Sequence, residues 1–309
     1  MEPKVLILGD DDFGQAGAQM LKNAPCRLEA FFADRLPSHV PRAQTLEEGC
    51  RDVAVVILAG LGSRLAELAD RYGEHAQGDH VVLLNARSVQ EDFELPYETL
   101  RRRSCARQIG VLGGPLHAQD LASQQHVNLV LATRFPEVRR RAQQIAAGAA
   151  LTLAPSRDLV GVSVAGAYGH LTAMLTGMAQ GLEWGDTSRS LLVAHALLEA
   201  RALALALGAE ASTFQGLVGW GELIPRASVR SDRHTVLGRE VARGTLLADA
   251  LAASEQPVEG VETARLALQA GERRGVELPL TRILVEVLDG APNPGDRFER
   301  ILATPLVAE

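Results

Sequence analysis

Short apolar runs alternate with amphipathic stretches through the first half of the chain, and this rhythm predicts strands and helices in turn. Val5–Leu8, Leu28–Ala33, Val53–Leu58, Val81–Leu84, Gly110–Leu112 and Val127–Ala132 are the strand candidates, with Leu151–Leu153 a short last one. Gly14 to Lys22 has helix character, so the first half reads as βαβ units around a parallel sheet. Near Pro155 the texture changes. From Asp158 onward alanine and leucine recur at helical spacing and strand signals are few. Ala194–Leu207 is the clearest helix, with Gly208 as its C-cap. Pro225, Pro257, Pro279 and Pro292 punctuate the remainder into several helices. The expectation is an α/β chain of two directly packed domains, a parallel-sheet domain over 1–155 and an all-helical domain over 156–309.

Composition changes this picture little. The chain has 309 residues, 47% hydrophobic and 22% charged, enough for two cores and unlike a disordered polymer. A net charge of −7 gives no basic footprint for nucleic acid. The clusters Arg101-Arg102-Arg103 and Arg139-Arg140-Arg141 fit solvated helix faces. Cys26, Cys50 and Cys105 show no metal or CxxC spacing and read as reduced thiols, which points to the cytoplasm. The N-terminal apolar run is short and ends in aspartates, unlike a signal peptide. Leu191–Leu207 is broken by His195, Glu199 and Arg201, so no membrane span is expected there. His195 and His126 fit ordinary structural positions. Basic residues are almost all arginine; Lys4 and Lys22 are the only lysines.

The first strand leads into a glycine turn and a helix, the layout of a Rossmann-type dinucleotide site. Such a site needs GxGxxG, and the run here is Gly9-Asp10-Asp11-Asp12-Phe13-Gly14. Its outer glycines stand, but Asp11 holds the middle position, where a Cβ crowds the pyrophosphate and a carboxylate faces an anion. Two like charges about 4 Å apart repel by roughly 4 kcal/mol at an effective dielectric of about 20. That is an upper-end loss of about three decades in affinity. Asp10, Asp11 and Asp12 also suit the positive end of a helix with no ligand present. Asp34 has the spacing of a ribose-binding acid, with Arg35 beside it blurring the choice between NAD and NADP.

From residue 110 onward the chain resembles the NAD(P)-dependent glycerol-3-phosphate dehydrogenase family. The segments that carry the likeness are GGPLHA (113–118), DLVGVSVAGAYGHLTAM (158–174), STFQGLVGWGEL (212–223), SDRHTVLG (231–238) and PVEGVETA (257–264). The resemblance implies a Rossmann domain followed by a helical substrate domain of the 6-phosphogluconate-dehydrogenase type. It also implies hydride exchange with glycerol 3-phosphate or dihydroxyacetone phosphate, and a homodimer. The lysine of the family's Lys-Asn pair, which handles the substrate proton, falls on Gly169, and the asparagine on His170. The aspartate of the family's GxGDL element falls on Glu222, and its Ser-Arg-Asn triplet on Asp232, Arg233 and His234. Gly114 and Ala118 match substrate- and cofactor-contact positions, Glu259 a cofactor contact, Phe13 an aromatic of the phosphate loop, and Arg87 a lysine. By resemblance, then, Gly9, Asp12, Phe13, Gly14, Asp34, Ala118, Arg233 and Glu259 are the candidate cofactor residues. Arg87, Gly114 and Arg233 are the candidates for substrate.

Hydride transfer to a carbonyl builds charge on oxygen that an acid or cation must neutralise, and Gly169 has no side chain for this. Losing such a group typically costs about 10²–10⁴ in rate. His170 is the substitute acid, and with Glu222 and His234 it makes a trio open to three readings. They are new acid–base chemistry, a divalent metal, or polar filling of a site released from catalysis. Asp232 beside Arg233 suggests an Asp–Arg pair that would neutralise the phosphate-binding guanidinium. The sequence therefore points to a dehydrogenase-fold protein impaired in catalysis, with a sensor or partner-binding role. The alternative is an active oxidoreductase on a related small substrate, with His170 in place of lysine.

Overall fold

The computed structural model describes residues 2–9, 12–31, 37, 39–59, 62–85, 87, 89–115, 123, 125–228 and 232–305. The chain separates into two compact units: residues 1–90 with 94–163, and residues 91–93 with 164–309.

The first unit is built on strands β1 (Lys4–Leu8), β2 (Arg27–Phe31), β3 (Val53–Leu58), β4 (Val81–Asn85), β5 (Gln108–Gly113), β6 (Val127–Ala132) and β7 (Leu151–Ser156). They form one sheet in the order β2-β1-β3-β4-β5-β6-β7. Five of its neighbouring pairs are parallel. The wholly parallel expectation is corrected at one place. β6 runs against β5, with Val111 opposite Ala132 and Gly113 opposite Val130. An apolar run such as VNLVLA buries equally well in either direction, so its composition says nothing about orientation. The last strand is also longer than expected, since Pro155 and Ser156 continue its pairing with β6.

Alternation along β1 shows why the sheet is covered on both faces. Val5 and Ile7 join one core with Phe13, Met20, Val138 and Ile145; Leu6 and Leu8 join the other with Leu65, Leu68, Tyr72 and Leu100. Helices α1 (Asp12–Met20) and α5 (Pro136–Ala146) supply the first, and α2 (Leu46–Cys50), α3 (Gly62–Gly73) and α4 (Pro96–Arg103) the second. Thr45 caps α2 by accepting the Glu48 amide. Both arginine clusters lie on helices beside acids: Arg102 bonds Glu94, Arg103 pairs with Asp70, and Arg140 and Arg141 share Glu137.

The second unit is helical: α6 (Leu159–Gly181), α7 (Asp186–Ala206), α8 (Trp220–Ser228), α9 (Arg233–Ala242), α10 (Leu247–Ala252), α11 (Gly260–Arg274), α12 (Pro279–Leu288) and α13 (Pro294–Leu302). The unit boundary passes through the first turns of α6. Among the described residues α6 is the one helix long and apolar enough to cross a membrane, and 94% of its apolar window is buried by the protein. Gly208, at φ +94°, ends α7 as expected. Its amide donates to Leu205 and that of Ala209 to Ala204, the two bonds of a Schellman cap. Pro279 opens α12, but Pro225 separates nothing, since it lies inside α8.

Glycines bring α6 and α9 into backbone contact. A Cβ on Gly177 would fall 2.1 Å from the Thr235 carbonyl oxygen, and one on Gly238 would fall 2.1 Å from that of Met174. Gly181 meets the Arg239 carbonyl in the same way, at 2.5 Å. Any larger residue at these positions would separate the helices.

Candidate functional site

In the first unit the candidate residues gather at one edge of the sheet. Gly9 follows β1, Arg87 lies two residues beyond β4, and Gly114 follows β5, all at carboxyl ends of parallel strands. The chain leaves β1 for β2 on one side and returns to β3 on the other, which makes the end of β1 a topological switch point where α/β sheets bind ligands. Gly9 has φ +108° and Gly114 φ +106°, conformations that side chains rarely adopt. Helix α1 begins at Asp12, immediately beyond that turn. Gly14 is buried within α1, and the Phe13 side chain is buried in the core with Ile57, Leu83 and Leu129. Asp10, Asp11, Asp34 and Ala118 lie outside the described residues.

The positive-φ glycine and the helix N-terminus fit a dinucleotide pyrophosphate, because a glycine lets the backbone approach and the helix dipole favours an anion. Gly9 and the first turn of α1 would hold it.

The second unit stacks His170 of α6 on His234 of α9 and sets Glu222 of α8 against Gly169. All three are buried, at 3%, 1% and 1% exposure. Glu222 turns toward Gly169: a Cβ on that glycine would lie 2.9 Å from Glu222 Oε1 and 3.5 Å from its Cγ. A carboxylate thus closes the space where a side chain at 169 would start. The His170 and His234 rings stack with centroids 4.2 Å apart and planes within 10°. Two imidazolium ions at that spacing would repel by roughly 4 kcal/mol at an effective dielectric of about 20, so both rings cannot be charged near neutrality. Gly260, the first residue of α11, packs on the stack; a Cβ there would lie 2.8 Å from His234 Cδ2 and 3.1 Å from His170 Cβ.

Asp232 caps α9, its Oδ1 accepting the His234 amide at 2.9 Å and facing His234 Nδ1 at 3.1 Å. A carboxylate only accepts, so Nδ1 carries the proton in this contact. The expected Asp232–Arg233 pair is corrected here. Arg233 turns instead to the Pro257 carbonyl (2.8 Å), Gln256 Oε1 (3.4 Å) and the Glu259 carboxylate (3.6 Å). Adjacent residues at a helix start point in different directions: the cap folds back over the first turn while the next side chain projects outward. Arg233 is neutralised all the same, by Glu259. No group of three or more histidine, cysteine, aspartate or glutamate side chains suited to a metal occurs among the described residues.

One buried polar cluster was not foreseen. Glu199, on α7, accepts from the Leu280 and Thr281 amides and the Thr281 hydroxyl at 2.5, 2.9 and 2.6 Å. It thereby caps α12, whose own N-cap residue Leu278 has no side-chain bond to offer. Burial pushes its carboxyl up to about 7, against the pull of those donors. The Tyr168 hydroxyl lies 3.4 Å from Thr281 Oγ1, and burial followed by the nearby Glu199 raises its phenol. In the sequence, Glu199 shows as an acid inside an apolar helix, which is the one available sign of a buried partner. His195, one turn earlier, is lowered by desolvation, and His126 Nε2 meets Thr152 Oγ1 at 2.9 Å.

Comparison with known proteins agrees with this geometry. The profile of the NAD-dependent glycerol-3-phosphate dehydrogenase C-terminus matches residues 158–299. A glycerol-3-phosphate dehydrogenase (NAD(P)+) of Synechococcus elongatus is 31% identical over 305 residues, spanning 98% of this chain and 97% of that protein. One from Methylibium petroleiphilum is 36% identical over 215 residues, spanning 70% of this chain and 65% of that protein. The crystal structure of glycerol-3-phosphate dehydrogenase from Coxiella burnetii superposes with a TM-score of 0.89 at 19% identity, covering 98% of this chain and 99% of that one. The enzyme from Saccharomyces cerevisiae gives 0.81 at 14% identity, covering 98% and 100%. The fold is therefore that of these enzymes, and near-full-length identity to the Synechococcus relative makes this chain a member of the NAD(P)-dependent glycerol-3-phosphate dehydrogenase family.

Proposed function

We propose that this family member is impaired in the interconversion of glycerol 3-phosphate and dihydroxyacetone phosphate, and that it serves as a sensor or partner-binding protein. The observation that carries this reading is the Glu222 carboxylate lying against Gly169. Where the resemblance requires a lysine ammonium to manage the substrate proton, this chain supplies a glycine and an acid. The Arg233–Glu259 pair supports the same reading, because a guanidinium already facing a carboxylate attracts a substrate phosphate less. A nicotinamide dinucleotide held at Gly9 and α1 would supply hydride chemistry, and Asp10, Asp11 and Asp12 would weaken its binding, so the impairment we propose covers the proton and phosphate positions and extends to the cofactor.

The test is reduction of dihydroxyacetone phosphate by the purified chain with NADH or NADPH, followed at 340 nm. The expected turnover lies below about 0.01 per second, at least about 10² under the lower end of the roughly 1–10³ per second of ordinary enzymes. Turnover within that ordinary range overturns the proposal. Calorimetric titration with both nucleotides separates a cofactor-binding protein from one that has lost the cofactor as well. The homodimer expected from the resemblance is tested by light scattering in solution.

A second reading has one observation in its favour, the buried imidazole pair beside Asp232. It is an oxidoreductase on a related small substrate with imidazole as the acid. That reading requires tight NADH or NADPH binding, and calorimetry showing none removes it.

A further inference from the structure

We infer that Asp232 and His234 form a proton-holding dyad, in which His234 becomes the imidazolium and His170 stays neutral against it. Position in the sequence favours His170 for this role, as the residue beside Gly169. Geometry favours His234, because the Asp232 carboxylate is 3.1 Å from its Nδ1. An acceptor there fixes the Nδ1–H tautomer, and its charge stabilises a proton added to the other ring nitrogen. His170 stacks face to face on that ring at 4.2 Å. Once His234 is charged, protonation of His170 is opposed by a cation on its own face, at most about three decades at this distance and less once the Asp232 charge is included.

Other groups among the described residues pack nearby. Glu222 approaches α6 at Gly169, and Arg233 is already paired with Glu259. Gly260, which packs against both histidines, and Met174 beside it are uncharged. Gly260 opens α11, and the positive end of that helix opposes a cation on either ring, so the Asp232 carboxylate at 3.1 Å is what favours His234. The pair therefore holds one proton, on a side chain oriented by a carboxylate. This inference concerns proton affinity alone, so it can fail while the proposed function stands, and the reverse.

The experiment is a proton titration of the full chain labelled with ¹³C and ¹⁵N histidine, followed by NMR of the eight ring signals. Signals are assigned by their loss in His170→Gln and His234→Asn. In the unmodified chain, long-range ¹H–¹⁵N spectra at high pH are expected to show His234 protonated at Nδ1. On acidification His234 takes its proton before His170. Asp232→Asn and Asp232→Ser both leave an oxygen to cap α9, and each is expected to lower the proton affinity of His234 at least tenfold. In His234→Asn, the affinity of His170 is expected to rise at least tenfold. An Nε2–H tautomer at His234, first protonation at His170, or an affinity of His234 unmoved by either Asp232 variant overturns the inference. The tautomer and the order of protonation come from the unmodified chain, so they decide the matter even if a variant does not fold.

Discussion

Replacing Glu199 by glutamine should change how stability depends on pH, and the direction of the change separates two opposing forces at one carboxyl group. Burial favours the protonated form, whereas the two amides and the hydroxyl at the start of α12 favour the ionised one. Burial wins, placing the group at about 7 in the folded chain against an ordinary 4.5. Between pH 4.5 and about 7 the folded protein holds a proton that the unfolded chain has released. The stability from this group is therefore complete below pH 4.5 and is lost as pH rises through 7. Taken over that interval, the contribution is roughly 3 kcal/mol. Glutamine keeps a carbonyl to accept an amide but cannot titrate. The stability of Glu199→Gln relative to the unmodified chain should thus improve by roughly 3 kcal/mol between pH 4.5 and 7.5, a relative gain of roughly 5 °C in midpoint. Thermal melts of both proteins across that range, followed by circular dichroism, measure it. A pH-independent gap would refute the argument, and a gap moving the other way would show that the helix donors outweigh burial. Glu199→Ala provides the control. It strands three buried donors, so it should stay below Glu199→Gln by about 2–4 kcal/mol at every pH while showing the same drift with pH against the unmodified chain.

Two further substitutions test packing. Gly169→Ala places a methyl against Glu222, so it should be more favourable by about 1 kcal/mol or more in a Glu222→Asp background, read from urea unfolding of the four proteins in the cycle; additivity within about 0.3–0.5 kcal/mol would count against the contact. Gly17→Ala, inside α1 at the lining of an apolar cavity of about 40 Å³ with Phe13, Met20, Leu129 and Ile145, adds a carbon with no atom within 4 Å. Helix propensity and cavity filling should together stabilise the chain by about 1 kcal/mol, and an unchanged or lower melting point would mean that the cavity walls do not accept the group.

The elements were legible because their physical causes are local. Runs such as VLIL, VAVVIL and VNLVLA can satisfy their backbone and bury both faces only as inner strands, and each is one. Strand direction has no such local cause, which is why the reversal at β6 was not visible. Pro225 was read as a break because proline removes one backbone donor, yet α8 keeps its course around it. At the site, the resemblance joined His170, Glu222 and His234, which lie up to 64 positions apart; the fold stacks the two imidazoles and sets Glu222 beside Gly169. It could not show that Glu222 would face Gly169. Nor could adjacency show that Asp232 would serve His234 and leave Arg233 to Glu259; those are outcomes of helix-start geometry. Glu199 was visible only as an interruption in an apolar helix, since its partners are two backbone amides and a threonine some 80 positions away.

The glycine contacts between α6 and α9 separate position from chemistry. Their spacing is set by main-chain atoms meeting main-chain atoms, so exchanging the side chains at 169, 170, 232 or 234 leaves the two axes where they were. Such a seam lets a protein rewrite the reactive groups it carries while keeping the frame that displays them. The same seam means that new chemistry at these positions would be tried out at fixed distances, one side chain at a time.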